Sequence, residues 1–97
     1  MCKDLLKADE VTRLARALHA LAHPLRYRML CLLGAGEMNL QHIANAVHTS
    51  HSNAAQHLQL LEKQQLVRIR RTASRIYYRL SDQRTLRLLA VCRHILG

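Results

Sequence analysis

Between Lys63 and Leu66 the apolar pattern of this chain changes period. Up to Lys63 the apolar side chains recur three and four residues apart, the signature of helices that bury one face. From Leu66 to Leu80 they alternate, with Val67 and Ile69 on one side and Arg68 and Arg70 on the other, then Ile76, Tyr78 and Leu80 sharing a face. Alternation with β-branched and aromatic residues predicts strands over 66–71 and 75–80. Only Thr72, Ala73 and Ser74 separate them, so the two strands form a hairpin. Its tip lacks the Gly or Asn that tight turns favour.

The helical part divides at its breakers. Ala8, Val11, Leu14, Ala15, Leu18, Leu21 and Ala22 form one amphipathic stripe, which ends before Pro24. Pro suits the first turn of a helix, so a second helix runs from Leu25 to about Leu33, stopped by Gly34 and Gly36. Asn39 is placed to cap a short third helix over 40–47, whose apolar edge is Leu40, Ile43, Ala44 and Val47. Thr49 and Ser50 make a polar break. Ser50 or Ser52 caps a fourth helix to about Lys63, with Ala54, Leu58 and Leu61 inward and His51, Asn53, Gln56, Gln59 and Lys63 outward. After the hairpin, Ser81 or Asp82 caps a last helix over 83–96. On its wheel Leu88, Leu89, Cys92, Ile95 and Leu96 fill one arc, and Leu86, Ala90 and Val91 lie elsewhere. A helix apolar over most of its circumference needs two covering surfaces. One is the chain's own core, and the other is most simply a second copy.

At 97 residues the chain is expected to be one domain over 1–97, mainly α with a β-hairpin. A short helix, a tight polar turn and a helix with a polar outer face make a helix-turn-helix, and the hairpin behind it makes it winged. In that arrangement the second helix enters the major groove of duplex DNA and its first residues meet base edges. Ser50, His51, Ser52, Asn53, Gln56 and His57 occupy that position, and Asn and Gln pair with adenine. The formal charge of +9 demands a polyanionic partner, and the hairpin holds five Arg in twelve residues, 68–79. Arg71 and Arg75, nearest the tip, are assigned to DNA. Arg68, Arg70 and Arg79 read better as a solvated strand face. An Arg-rich hairpin beside a polar helix selects duplex DNA over a membrane surface. No apolar run approaches a membrane span and no secretory leader is visible, so the chain is expected in the cytoplasm. No catalytic motif, Gly-rich phosphate loop or cofactor signature occurs, so it is not read as an enzyme and no cofactor is expected. Binding of RNA, or a protein-docking role, is the other non-enzymatic reading. It fits less well because the outer face of the fourth helix shows no Leu or Met.

The stretches LAHPLRYRMLCLL (21–33), NLQHIANAV (39–47), SHSNAAQHLQLLEKQQLV (50–67) and RIYYRLSD (75–82) resemble the ArsR/SmtB family of bacterial winged helix-turn-helix repressors. The likeness covers about residues 11–96. Ala55 stands where many members have Ser, and Gln65 where Gly usually precedes Leu-Val. The resemblance implies a homodimer through the first and last helices that holds a palindromic operator until a small inducer releases it.

Four inducer sites were weighed on the residues. The thiolate motif that metalloid sensors of the family carry on the third helix is absent, since 37–43 reads Glu-Met-Asn-Leu-Gln-His-Ile. A last-helix zinc site of the Asp-x-His…His-x-x-Glu type is matched at Asp82, but Arg84 replaces the His, His94 is displaced and no Glu follows. No metal site is therefore assigned. Cys31 and Cys92 are similar to the thiol pair of the persulfide- and redox-sensing branch that includes SqrR, BigR and HlyU, although Cys92 falls about five residues before the branch's second Cys. Reactive sulfur or an oxidant is the inducer this implies, and Arg26, Arg28 and His23 are candidates to lower the Cys31 pKa. An arsenite site adding Cys2 to Cys92 and a further thiol is the metalloid alternative. The bland reading of both helical thiols is passive core.

Overall fold

A computed structural model describes residues 7–97. The element order is α1 (Ala8–Leu21), α2 (Pro24–Leu33), β1 (Met38–Asn39), α3 (Leu40–Ala46), α4 (His51–Lys63), β2 (Val67–Arg71), β3 (Ile76–Leu80) and α5 (Arg84–Leu96). This is the expected winged helix-turn-helix, with one addition. The sheet has three strands in the order β1-β3-β2, all antiparallel, because Met38 and Asn39 pair with Tyr78 and Tyr77. A two-residue strand is too short to leave an alternating pattern.

The caps are local and chemical. His23 Nδ1 accepts from the Leu25 amide at 3.1 Å and starts α2 at Pro24. Asn39 Oδ1 accepts from the His42 amide at 2.8 Å, so the residue that ends β1 also caps α3. Ser50 Oγ accepts from the Asn53 amide at 3.0 Å. At α5 the N-cap is Gln83, which makes no side-chain cap bond, and not the expected Ser81 or Asp82; Asp82, two residues before the helix begins, accepts from the Arg84 amide at 2.8 Å.

Two helices end alike. The Thr49 amide reaches the Ala44 carbonyl and the His48 amide that of Asn45. At the other end of the unit, Leu66 reaches Leu61 and Gln65 reaches Glu62. Both are Schellman ends. Each requires a left-handed residue, and here those residues are His48 (φ 57°) and Gln65 (φ 61°), not glycines. Gln65 thus occupies the backbone conformation for which the resemblance led one to expect Gly.

The core lies where α2, α3, α4 and the sheet meet. Met29, Leu30, Leu33, Ile43, Leu58 and Leu61 are its largest buried side chains. Only the end of the α1 stripe, at Leu21, joins it. Ala20 and Leu21 are buried, whereas Val11, Leu14 and Leu18 are exposed. On α5, Thr85 and Leu89 face inward, while Leu88, Val91, Ile95 and Leu96 are exposed. The shape reflects this: the radius of gyration is 14.4 Å, against about 13 Å for a compact chain of this length.

Candidate functional site

The outer face of α4 is built by phase. Ala54, Leu58 and Leu61 dock on the core, which turns His51, Ser52, Gln56, Gln59 and Lys63 to solvent. Asn53 departs from the expected outward set. It is half-buried, and its side-chain amide donates to Thr49 Oγ1 at 2.7 Å across the helix-turn-helix turn. Ser52 takes the outward place instead. Ser50 is spent on the cap.

His57 is also turned away from that face. Its ring lies 4.5 Å from the His23 ring, and Nδ1 faces Arg26 Nη1 at 3.2 Å. A guanidinium only donates, so Nδ1 accepts and the imidazole proton sits on Nε2. Burial, helped by His23 and Arg26, holds the His57 pKa below its ordinary value. Arg26 also donates to the carbonyls of Ala20 at 2.7 Å and His19 at 3.4 Å, so it ties the end of α1 to α4.

The hairpin tip is closed by Thr72. Its amide donates to the Arg75 carbonyl at 2.9 Å, and its Oγ1 accepts from the Arg75 amide at 3.1 Å. A hydroxyl thus does the work that the sequence reading expected of Gly or Asn. Arg71 and Arg75 are exposed at this tip, and neither enters an ion pair among the described residues. They border a cleft of about 580 Å³ whose other wall is Asn39, Leu40 and Gln41 at the start of α3 and His51 at the start of α4. The first turn of α4 and the two tip arginines therefore face one concavity. Gln41, which sequence reasoning left out, joins them there.

The other hairpin arginines divide. Arg70 is held by Glu37 through contacts of 2.6 and 3.2 Å and stacks 4.4 Å over the Tyr77 ring, so it belongs to the fold. Arg68 and Arg79 are exposed and directly opposite in register. Like charges so placed repel.

Cys31 opens onto a second, larger cavity of about 1040 Å³ between α2, the end of α3 and α5. Burial pushes its thiol pKa up, and Arg93 is the charge that opposes this. The expected cations are elsewhere or inactive here: Arg26 and His23 are engaged with α4, and Arg28 lines the cavity without entering the thiol's balance. Tyr27, one turn before Cys31, donates its hydroxyl to the Leu89 carbonyl at 2.7 Å. Burial raises the Tyr27 pKa, and Cys31 and Cys92 raise it further. Both thiols therefore act on one tyrosine at the α2–α5 contact. Cys92 is half-buried and does not line the cavity. Cys2 lies outside the described residues. Among the described residues no group of three or more His, Cys, Asp or Glu side chains comes together to hold a metal ion. No described helix is long and apolar enough to cross a membrane.

Comparisons agree with this geometry. A helix-turn-helix domain family matches residues 21–70. The chain is 31% identical over 85 residues to a transcriptional repressor SmtB homolog of Synechocystis, covering 88% of this chain and 64% of the relative. It is 36% identical over 91 residues to the nodulation protein NolR of Rhizobium meliloti, covering 94% and 75%. A homodimeric winged helix-turn-helix DNA-binding domain from Mycobacterium bovis, a possible ArsR-family transcriptional regulator, superposes with a TM-score of 0.84 at 34% identity, covering 93% of this chain and 83% of that one. The chain spans 38 to 75% of the length of the curated relatives it matches.

Proposed function

The chain belongs to the ArsR/SmtB family of winged helix-turn-helix regulators, and on that premise we propose that it is a homodimeric DNA-binding repressor of the cytoplasm. It holds a palindromic operator and releases it when reactive sulfur or an oxidant acts on Cys31 and Cys92. The observation that carries the reading is the cleft that sets His51 of α4 opposite Arg71 and Arg75. His51, Ser52 and Gln56 offer donors and acceptors to base edges in the major groove. Arg71 and Arg75 meet the flanking phosphates or the adjacent minor groove. Two copies joined by α1 and α5 present two such units, which is what a palindrome requires. With +9 on each chain, affinity falls steeply as salt rises.

The thiol reading is supported by Tyr27, which lies one turn before Cys31 on α2, donates to the Leu89 carbonyl three residues before Cys92 on α5, and feels both thiols. A polysulfide transfers a sulfane sulfur to one thiolate and leaves as a shorter polysulfide. The second thiolate then attacks the first cysteine's own Sγ, breaking its bond to the sulfane sulfur, so the disulfide closes and hydrosulfide is expelled. A two-electron oxidant such as diamide gives the same disulfide while itself gaining two electrons and two protons. Because the Cys31 thiol is raised, its thiolate fraction and its reactivity rise with pH.

A gel shift on the promoter of its own gene, with polysulfide, diamide, arsenite or zinc in parallel, tests both levels. Release by polysulfide and diamide in the unmodified protein, lost in Cys31→Ser, is the expected result, with mass spectrometry showing Cys31 joined to Cys92. Release of Cys31→Ser by polysulfide would end the thiol reading, and release by arsenite or zinc alone would replace it with the metal-responsive one. Equal affinity for any duplex would remove the operator reading altogether.

A further inference from the structure

We propose that the cavity between α2, the end of α3 and α5 binds an amphipathic organic anion, an acyl or aromatic carboxylate, with its apolar part against Leu32, Val47, Leu86 and Leu89 and its carboxylate met by Arg28 and Arg93. The inference goes beyond the thiol reading and does not depend on it. At about 1040 Å³, the cavity stands at the upper end of the ~300–1,000 Å³ typical of small-molecule sites. Its walls are mainly aliphatic, and its charged groups are the guanidiniums of Arg28 and Arg93. His94 lines it too, and among the described residues no carboxylate does. Neither ion pair among the described residues uses these three side chains, nor does any side-chain hydrogen bond there. Two guanidiniums beside an aliphatic cavity, with no acid among the described residues lining it, complement a carboxylate attached to an apolar body.

The exposed stripe of α5 and the cavity lie on different sides of that helix. On α5, at about 100° per residue, Leu86, Leu89, Ala90 and Arg93 centre on one direction and the exposed Leu88, Val91 and Ile95 on nearly the opposite one. The far wall matters as well. Ala46 and Val47 line the cavity and directly precede His48, the left-handed residue of the helix-turn-helix turn. A molecule lodged there touches the helix that dimerises and the end of the helix that positions α4. It can thereby bias the angle between the two DNA-reading units.

Calorimetric titration of the reduced protein, without DNA, is the test. The probes are sodium decanoate, kept below its micelle concentration, and the uncharged 1-decanol. Saturable binding of one decanoate per chain is expected, with decanol weaker by at least about tenfold, the worth of one charge-assisted hydrogen bond. Arg28→Gln with Arg93→Gln should lose decanoate by a similar factor at unchanged dimer state. Arg28→Lys with Arg93→Lys, which keeps the charge, should retain most of it and guards against a folding defect. Arg68→Gln, which removes an exposed arginine that does not line the cavity, should bind as the unmodified chain does. Equal binding of decanoate and decanol, undiminished binding by the Gln pair, loss in Arg68→Gln, or no saturation at all would each overturn the proposal. Because DNA is absent, failure here leaves the repressor reading untouched, and loss of operator binding elsewhere leaves this site standing.

Discussion

The helix-turn-helix with its wing and the pair α1 and α5 treat the same aliphatic residues in opposite ways. In the first, Ile43, Ala44, Ala54, Leu58 and Leu61 are fully buried and Val67 nearly so. In the second, Leu14, Leu18 and Val91 are 51–54% exposed and Ile95 71%. Both regions are amphipathic, so hydrophobicity does not separate them. Completion does: the reading half is finished by its own chain, and the other half presents two stripes that only another surface can finish. A second copy, bringing the same stripes by two-fold symmetry, is the simplest such surface.

That difference is most sharply broken by a charge in the unfinished half. Val91→Asp places an unpaired carboxylate in the proposed interface twice, once from each chain. A buried unpaired charge costs about 3–5 kcal/mol, so dimer dissociation should rise by at least about a hundredfold. Sedimentation would then show monomers at micromolar concentration. The helical circular dichroism of α3 and α4 should persist, since their core lies elsewhere. Unchanged sedimentation would mean that the stripe of α5 is ordinary surface and the comparison above has no functional content.

The two halves were also unequally legible in the sequence. Asn39 and Ser50 announced the starts of α3 and α4, and the change of period after Lys63 announced the wing, because caps and periods are local. What escaped was set by docking. A wheel gives the relative phase of side chains, but the core sets its absolute phase, so Asn53 and His57 are half-buried and engaged within the protein and not fully outward. β1 is two residues long and exists because β3 offers it an edge. The last helix, apolar over most of its circumference, said that a second surface must cover it, but not which of its residues would face that surface. The cations proposed for Cys31 were chosen by closeness in sequence, whereas Arg93 acts on the thiol from another helix.

Within the finished half, one local cost is still visible. Gln65 sits at φ 61° and is exposed, so its side chain contributes little where it stands. Removing the Cβ from a left-handed residue relieves about 1–2 kcal/mol, part of which the greater freedom of Gly in the unfolded chain takes back. Gln65→Gly should therefore stabilise the chain by about 0.5–1 kcal/mol, read as a melting temperature higher by a few degrees at fixed protein concentration. A lower melting temperature would show that Gln65 makes contacts that outweigh its backbone strain.

The smallest effect is expected where the halves are joined. His57 of α4 rests against His23 and accepts from Arg26, which also holds the carbonyls at the end of α1. Burial, helped by His23 and Arg26, disfavours the imidazolium, so the folded-state pKa lies below the ordinary 6.5. The unfolded chain therefore binds the proton first as pH falls. The stability that this contact contributes is fully present above about pH 6.5 and is lost as the solution is acidified through the depressed folded value. The ring keeps some access to solvent, so the loss should be modest. Thermal melts between pH 7.5 and 5 should show a decline that is shallower in His57→Gln, whose amide cannot take up the proton. A slope of the same size in that variant would assign the decline to other groups, and α4 would then not be coupled to α1 through this histidine.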